Sequence, residues 1–267
     1  FLSILALTSA VLVEVAHAQF ATHVNQVEVY APVTDRSGRA VKDLPREAFR
    51  IFEDGQPQEI TTFVSGEFPA AVALAVDRSF SMQGAPLNMA RTAGRAFIGS
   101  LKPDDRAMLI SISGQVEVLA PLSADKKPIL DALATLDPWS STSLHDALIR
   151  SLDLLEGETG RRAIVVFSDG EDRYSDASAA DVIDRARRSD VMIYPIAIGR
   201  NRPPLFVELA AVSGGRSFHL RDPRDLQTTL KTIADDLRSQ YLIGYAPSRP
   251  LPEDKPEWRG ITVEVDR

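Results

Sequence analysis

Two stretches of this chain are apolar without interruption and then stop at a carboxylate. Residues 71–76 (AVALAV) run directly into Asp77, and residues 163–167 (AIVVF) run into Ser168-Asp169. Short apolar runs bounded by turn formers are the pattern of strands buried on both faces, as at the centre of a parallel sheet. Between and after them the period changes. Helices are predicted at 85–101, 124–136, 143–156, 177–189, 205–212 and 225–240. In the third of these, Leu144, Leu148, Leu152 and Leu155 form one apolar stripe. Residues 106–113 and 115–119 read as two strands split by Ser113-Gly114, a hairpin that places one strand antiparallel at an edge. Further strands are expected at 191–198 and 217–220. This alternation predicts an α/β fold: a doubly wound, mostly parallel sheet with helices on both faces and right-handed crossovers.

The flanks have another rhythm. The stretch VEVYAPVTD, starting at Val27, alternates apolar and polar residues like a half-buried strand. Residues 45–49 suit one helical turn. Strands are expected at 49–52 and 59–63, joined around the hairpin dipeptide Asp54-Gly55. Alternation returns at 241–245 and 260–265, either side of a Pro-rich charged loop at 247–256. Neither flank can bury a face alone. Together they are expected to form a small β-sandwich in which the α/β unit is inserted. The resulting division is 1–18, 19–66, 67–240 and 241–267.

Residues 1–13 are almost wholly apolar and uncharged, and Ala16-His17-Ala18 is a small-x-small pattern. This predicts a secretory signal peptide, already under way at residue 1 and cleaved after Ala18. The run is too short for a comfortable membrane span. The expectation is an exported protein (periplasmic, cell-envelope or secreted) with no membrane span in the mature chain.

Composition narrows the chemistry. The 267 residues are 44% hydrophobic and 25% charged, enough for one large domain or a medium one with a smaller companion. There is no cysteine, so thiol catalysis, zinc–thiolate sites and disulfides are excluded. A net charge of -7 argues against a general nucleic-acid binder. His17, His23, His145 and His219 are scattered and make no zinc pattern. Arg185, Arg187 and Arg188 share a helix with Asp181 and Asp184, which suits a solvated face.

Three polar stretches sit where an open α/β sheet places its ligands, beyond the carboxyl ends of strands. The first is Asp77-Arg78-Ser79-Phe80-Ser81. The second is Ser140-Ser141-Thr142-Ser143, just before an amphipathic helix. The third is Ser168-Asp169-Gly170, followed by Glu171 and Asp172. Each has a plain structural alternative. The first and third are turns. In the second, Thr142 or Ser143 would cap the helix, with Asp146 in its first turn. Glu171 and Asp172 read as solvated loop residues, His145 as a surface or capping residue, and Trp139 as packing near the Thr142 loop, with a docking role as its alternative.

In order and context, the three stretches resemble the metal-ion-dependent adhesion site of von Willebrand factor type A domains, over roughly residues 69–240. The flanks FRIFEDGQPQEITTF and LRSQYLIGYAPS are similar to those of exported bacterial proteins with such a domain. The resemblance implies Asp77, Ser79, Ser81, Thr142 and Asp169 as metal-site residues. It implies Mg2+ as the ion, with Mn2+ or Ca2+ as alternatives, and a protein partner offering Asp or Glu. The chemistry agrees: an all-oxygen donor set suits a hard cation. Two carboxylates about 6 Å apart repel by roughly 3 kcal/mol at an effective dielectric near 20, and a divalent ion removes that repulsion. Largely neutral hydroxyl ligands leave the ion electrophilic towards an incoming carboxylate. Phe80 stands where the family often has Gly, and Ser140 and Ser141 replace its glycines. The ring of Phe80 either joins a docking surface or packs inward.

Two other classes stay open on sequence. One is an Mg2+-dependent hydrolase or phosphatase with Asp77 as nucleophile, although no second carboxylate two residues on and no nucleophile elbow or phosphate-binding loop is present. The other is a structural envelope component. The expected class is a non-catalytic binding module.

Overall fold

The computed structural model describes residues 26–35, 39–66, 68–222, 225–249, 257 and 259–266. The predicted signal segment 1–18 and most of the 247–256 loop lie outside the described residues. In chain order the elements are β1 (Val27–Pro32), a 3-10 turn (Arg46–Ala48), β2 (Phe49–Glu53), β3 (Gln56–Gln58), β4 (Ile60–Gly66), β5 (Ala70–Asp77), a second 3-10 turn (Phe80–Met82), α1 (Ala85–Ser100), β6 (Arg106–Ile112), β7 (Glu117–Ser123), α2 (Lys127–Ala134), α3 (Leu144–Leu155), β8 (Arg161–Ser168), α4 (Ala179–Arg187), β9 (Met192–Ile198), α5 (Pro204–Ser213), β10 (Phe218–Leu220), α6 (Leu226–Arg238), β11 (Gln240–Tyr245) and β12 (Ile261–Val265).

The two uninterrupted apolar runs lie side by side. β5 pairs in parallel with β8 on one edge and with β6 on the other. The full order is β10-β9-β8-β5-β6-β7, parallel throughout except for β7, which hairpins back antiparallel at the edge. Successive residues of β5 face opposite layers. Val72, Leu74 and Val76 enter one core with α1, α2 and α6; Ala71, Ala73 and Ala75 enter the other with α3, α4 and α5. Strand and helix periods are thus both satisfied, and every residue of β5 is buried. The chain leaves β5 over one face through α1 to β6, and reaches β8 from the other face through α3. The crevice between the carboxyl ends of β5 and β8 is therefore the topological switch point.

Two three-stranded antiparallel sheets, β1-β11-β4 and β12-β2-β3, flank this unit. Each contains strands from both ends of the chain. They share a core of Phe49, Ile51, Ile60, Tyr241, Ile243 and Tyr245. The Phe49 and Tyr241 ring centroids are 4.7 Å apart, and the Tyr241 hydroxyl donates to the Val41 carbonyl while accepting from Leu44 N–H. One expectation is corrected here. The Asp54-Gly55 hairpin joins β2 to β3, at 56–58, and not to a strand at 59–63. Both turn residues have positive φ (49° and 77°), as a two-residue hairpin turn requires. The chain then crosses to the other sheet, where β4 pairs with β11. Among the described residues no helix is long and apolar enough to cross a membrane.

Candidate functional site

The site begins with Asp77, the last residue of β5. Its side chain is fully buried. One oxygen accepts from the Ser79 N–H at 2.9 Å, and the other accepts from the Ser168 hydroxyl at 2.6 Å. Burial pushes its pKa up to about 6. The hydrogen bonds from Ser168 and Ser79 oppose that rise, and the nearby charge of Asp169 adds to it. Ser79 is buried and Ser81 exposed, their hydroxyls 3.0 Å apart. The short 3-10 turn between Ser79 and Gln83 separates two apolar side chains. Met82 turns into the core, while Phe80 points outward and is 64% exposed.

Thr142 is buried at the start of α3. Its loop is stitched to both neighbours by main-chain hydrogen bonds. Trp139 N–H donates to the Arg78 carbonyl (2.7 Å) and Phe80 N–H to the Ser140 carbonyl (3.1 Å). Arg173 and Tyr174 both donate to the Thr142 carbonyl (3.0 Å each), and Ser143 donates to the Ser113 carbonyl. The Ser-for-Gly departure has a backbone consequence. Ser140 lies in the left-handed region at φ 58°, where glycine is at ease. Its hydroxyl occupies the space that a Cβ on Gly114 would need.

Asp169 follows β8 and is half-buried, with one oxygen accepting from the Glu171 N–H at 3.0 Å. Gly170 has φ 83°, and a Cβ there would fall 2.0 Å from the Pro203 ring. Glycine is therefore required twice over, for conformation and for closeness.

Ser79, Ser81 and Thr142 line one open cleft of about 890 Å³, with Phe80, Trp139 and Tyr174 also on its wall. Asp77 sits behind Ser79, and Asp169 is close enough for its charge to act on Asp77. The five candidate residues thus come to the rim of the sheet from three loops. Among the described residues no group of three or more His, Cys, Asp or Glu side chains is arranged to hold a metal. The candidate set has only two carboxylates and three hydroxyls, which is the composition of an oxygen site for a hard cation rather than a carboxylate cage. A buried carboxylate with a raised pKa and hydroxyls beside it fit a divalent cation, which would favour the charged form.

Some plain alternatives are settled. Ser143 occupies the cap position of α3 without a side-chain capping bond. The first-turn N–H groups of His145 and Asp146 are instead satisfied from across the cleft edge, by Asp172 (3.1 Å) and the Ser175 hydroxyl (3.1 Å). Asp146 returns two bonds, accepting from Asp176 N–H and Ala177 N–H. Asp172 is therefore a half-buried clamp residue, not a solvated one. His145 is also partly enclosed, its Nδ1 3.0 Å from the Ala177 carbonyl. Arg185 pairs with Asp153 and Glu156. Ser168 was not singled out on sequence. Its signal was a hydroxyl ending an otherwise apolar strand, one residue before a candidate carboxylate.

A mostly parallel six-stranded sheet with helices on both faces defines a doubly wound α/β domain. Residues 72–171 match the family model described as von Willebrand factor type A domain, and the central unit of this chain is a domain of that type. The chain is 24% identical over 215 residues to the human calcium-activated chloride channel regulator 4, a match covering 73% of this chain and 22% of that protein. It thus spans about a fifth of that relative's length. The fold is similar to an aerotolerance-related membrane protein from Bacteroides fragilis (TM-score 0.53, 17% identity, 62% of this chain and 98% of that one). It is also similar to proximal thread matrix protein 1 from the mussel byssus, whose structure has a zinc-occupied MIDAS motif (TM-score 0.59, 15% identity, 69% of this chain and 50% of that one).

Proposed function

We propose that this chain is an exported, non-catalytic protein-binding module that captures an acidic side chain of a partner through a bound divalent cation. Asp77, Ser79, Ser81, Thr142 and Asp169 would hold the ion, with Mg2+ the expected ion and Mn2+ or Ca2+ as alternatives. When bound, the cation supplies an electrophilic position for a carboxylate oxygen. The chain's own residues do the rest: hydroxyls present neutral oxygens, Asp77 and Asp169 supply charge, and the stitched loops hold them in place. The flanking segments 19–66 and 241–267 form the unit into which residues 67–240 are set.

The observation that carries this reading is the convergence of Ser79, Ser81 and Thr142 on one cleft with the buried Asp77 behind them. A hydrolytic role for Asp77 is disfavoured because its carboxylate is fully buried and both oxygens are already engaged. A mussel matrix protein of similar fold with an occupied site lends support by analogy. The test is a thermal-shift titration with Mg2+, followed by capture from envelope extract with and without EDTA. Wild type should be stabilised by the ion and Thr142→Ala should not. Equal shifts in both, or capture that survives EDTA, would overturn the reading.

A further inference from the structure

Each loop that carries a candidate metal donor also carries an aromatic ring: Phe80 between Ser79 and Ser81, Trp139 three residues before Thr142, and Tyr174 five residues after Asp169. These rings are 64%, 61% and 67% exposed. Every other aromatic residue among the described residues is buried or half-buried. All three line the cleft that contains Ser79, Ser81 and Thr142. Scattered exposed apolar residues need no explanation, but aromatic exposure confined to one concave wall does. Local packing does not account for it. The 3-10 turn that holds Phe80 out in solvent buries Met82, so that turn has an inward apolar position and fills it with another residue.

Among the described residues the wall itself adds no unpaired positive charge, so the attraction for an acid would come from the bound cation. Arg173 lies on the wall, its guanidinium held by Glu171 at 2.6 Å. The cleft is open and larger than one carboxylate side chain, and the rings share its wall with the hydroxyl donors, so a ligand longer than one side chain has room to meet both. Each ring offers roughly 150–250 Å² of surface, and Trp and Tyr are the residues that most often dominate protein–protein binding.

We infer that the cleft selects, among acidic partners, extended peptide segments whose Asp or Glu is flanked by bulky apolar side chains, with Phe80, Trp139 and Tyr174 supplying the apolar contact. The inference rests on the protein-binding reading above and deepens it. The metal fixes the acid, and the rings read its neighbours.

The test uses fluorescence polarisation with labelled peptides of about twelve residues, each with a central Glu flanked either by Leu and Phe or by Ala. An oligo-uronate of similar length serves as an acidic carbohydrate probe. Binding is measured in Mg2+ and in EDTA for wild type, Trp139→Ala and Tyr174→Ala, with Val207→Ala as an exposed apolar control away from the cleft. In Mg2+, wild type is expected to bind the Leu/Phe-flanked peptide at least about tenfold tighter than the Ala-flanked one. Each ring substitution should cut that ratio about threefold or more, leaving the Mg2+-dependent thermal shift intact, and the control should not change it. A ratio near one, no peptide binding despite an intact thermal shift, or ring variants with an unchanged ratio would overturn the inference alone. Tighter binding of the oligo-uronate would overturn the peptide assignment. Loss of the thermal shift in wild type would overturn the metal reading and this inference with it.

Discussion

Ser168 Oγ lies 2.6 Å from Asp77 Oδ2, joining the carboxyl ends of two neighbouring parallel strands. The same hydroxyl accepts from the Gly170 N–H at 3.0 Å. One small side chain therefore orients the buried carboxylate and fixes the turn that carries Asp169. Removing a group that orients a metal-site residue typically costs ten- to a hundredfold in metal affinity. Ser168→Ala should weaken the apparent Mg2+ affinity at least about tenfold with little change of fold. A Mg2+ titration of the melting temperature reads this directly, and an unchanged midpoint would remove Ser168 from the site.

The burial of Asp77 also sets a pH dependence for the metal-free protein. Its pKa is raised from the ordinary carboxylate value to about 6, chiefly by burial. A raised carboxyl pKa means that the folded state binds the proton more tightly than the unfolded chain does. The stabilisation is therefore complete below about pH 4 and is lost as pH rises through about 6. A rise of that size corresponds to about 3 kcal/mol between the two protonation states. In EDTA, the melting temperature should fall between pH 4 and pH 7 more steeply in wild type than in Asp77→Asn. Near pH 7 the variant should be the more stable protein, and Mg2+ should stabilise only wild type. A metal-free variant less stable than wild type near pH 7 would mean that the carboxylate is not penalised by its surroundings.

The sheet was legible because its signals are local and redundant. AVALAV and AIVVF are too apolar for a surface strand, and the stripe of Leu144, Leu148, Leu152 and Leu155 admits only a helix with one buried face. Where boundaries moved, the cause was usually a short polar terminus, as at α2, which begins at Lys127 after a turn. Pairing between distant segments was harder to read. The hairpin dipeptide Asp54-Gly55 marked its turn correctly, but strand 56–58 is only three residues long and contains Pro57, so the next strand, β4, looked like its partner. In the candidate site, the order of donors along the chain could be read directly. The main-chain stitching of Trp139 to Arg78, and of Tyr174 to Thr142, has no side-chain signature and emerged only in three dimensions. The same applies to Asp172, whose capping partner is 27 residues away in sequence.

Gly170 gives a steric prediction. Its positive φ disfavours any side chain, and the Pro203 ring stands where a Cβ would go. Gly170→Ala must either strain the turn or push the start of α5 away. The expected cost is about 2–3 kcal/mol, from a left-handed non-glycine residue plus overpacking against a rigid ring. Pro203→Ala should recover part of the loss in the double variant, since the two residues are in contact. Additive losses in a double-mutant cycle of melting free energies would show that the contact is not the cause.

The clamp between α3 and the 171–178 loop can be tested without touching a candidate donor. Asp146 accepts from Asp176 N–H at 3.1 Å and from Ala177 N–H at 3.0 Å, while Asp172 and Ser175 satisfy the first turn of α3 in return. Hydrogen bonds to a charged acceptor contribute about 1.5–3 kcal/mol each, and a loop held by two of them opens far more readily once the acceptor is gone. Asp146→Ala should raise hydrogen exchange at residues 176 and 177 by tenfold or more, while β5 and β8 exchange as before. Because Arg173 and Tyr174 are tethered to the Thr142 carbonyl at the other end of this loop, the variant should keep its Mg2+-dependent thermal shift. Exchange that rises equally in the loop and in the central strands would mean that Asp146 supports the whole domain rather than this one loop.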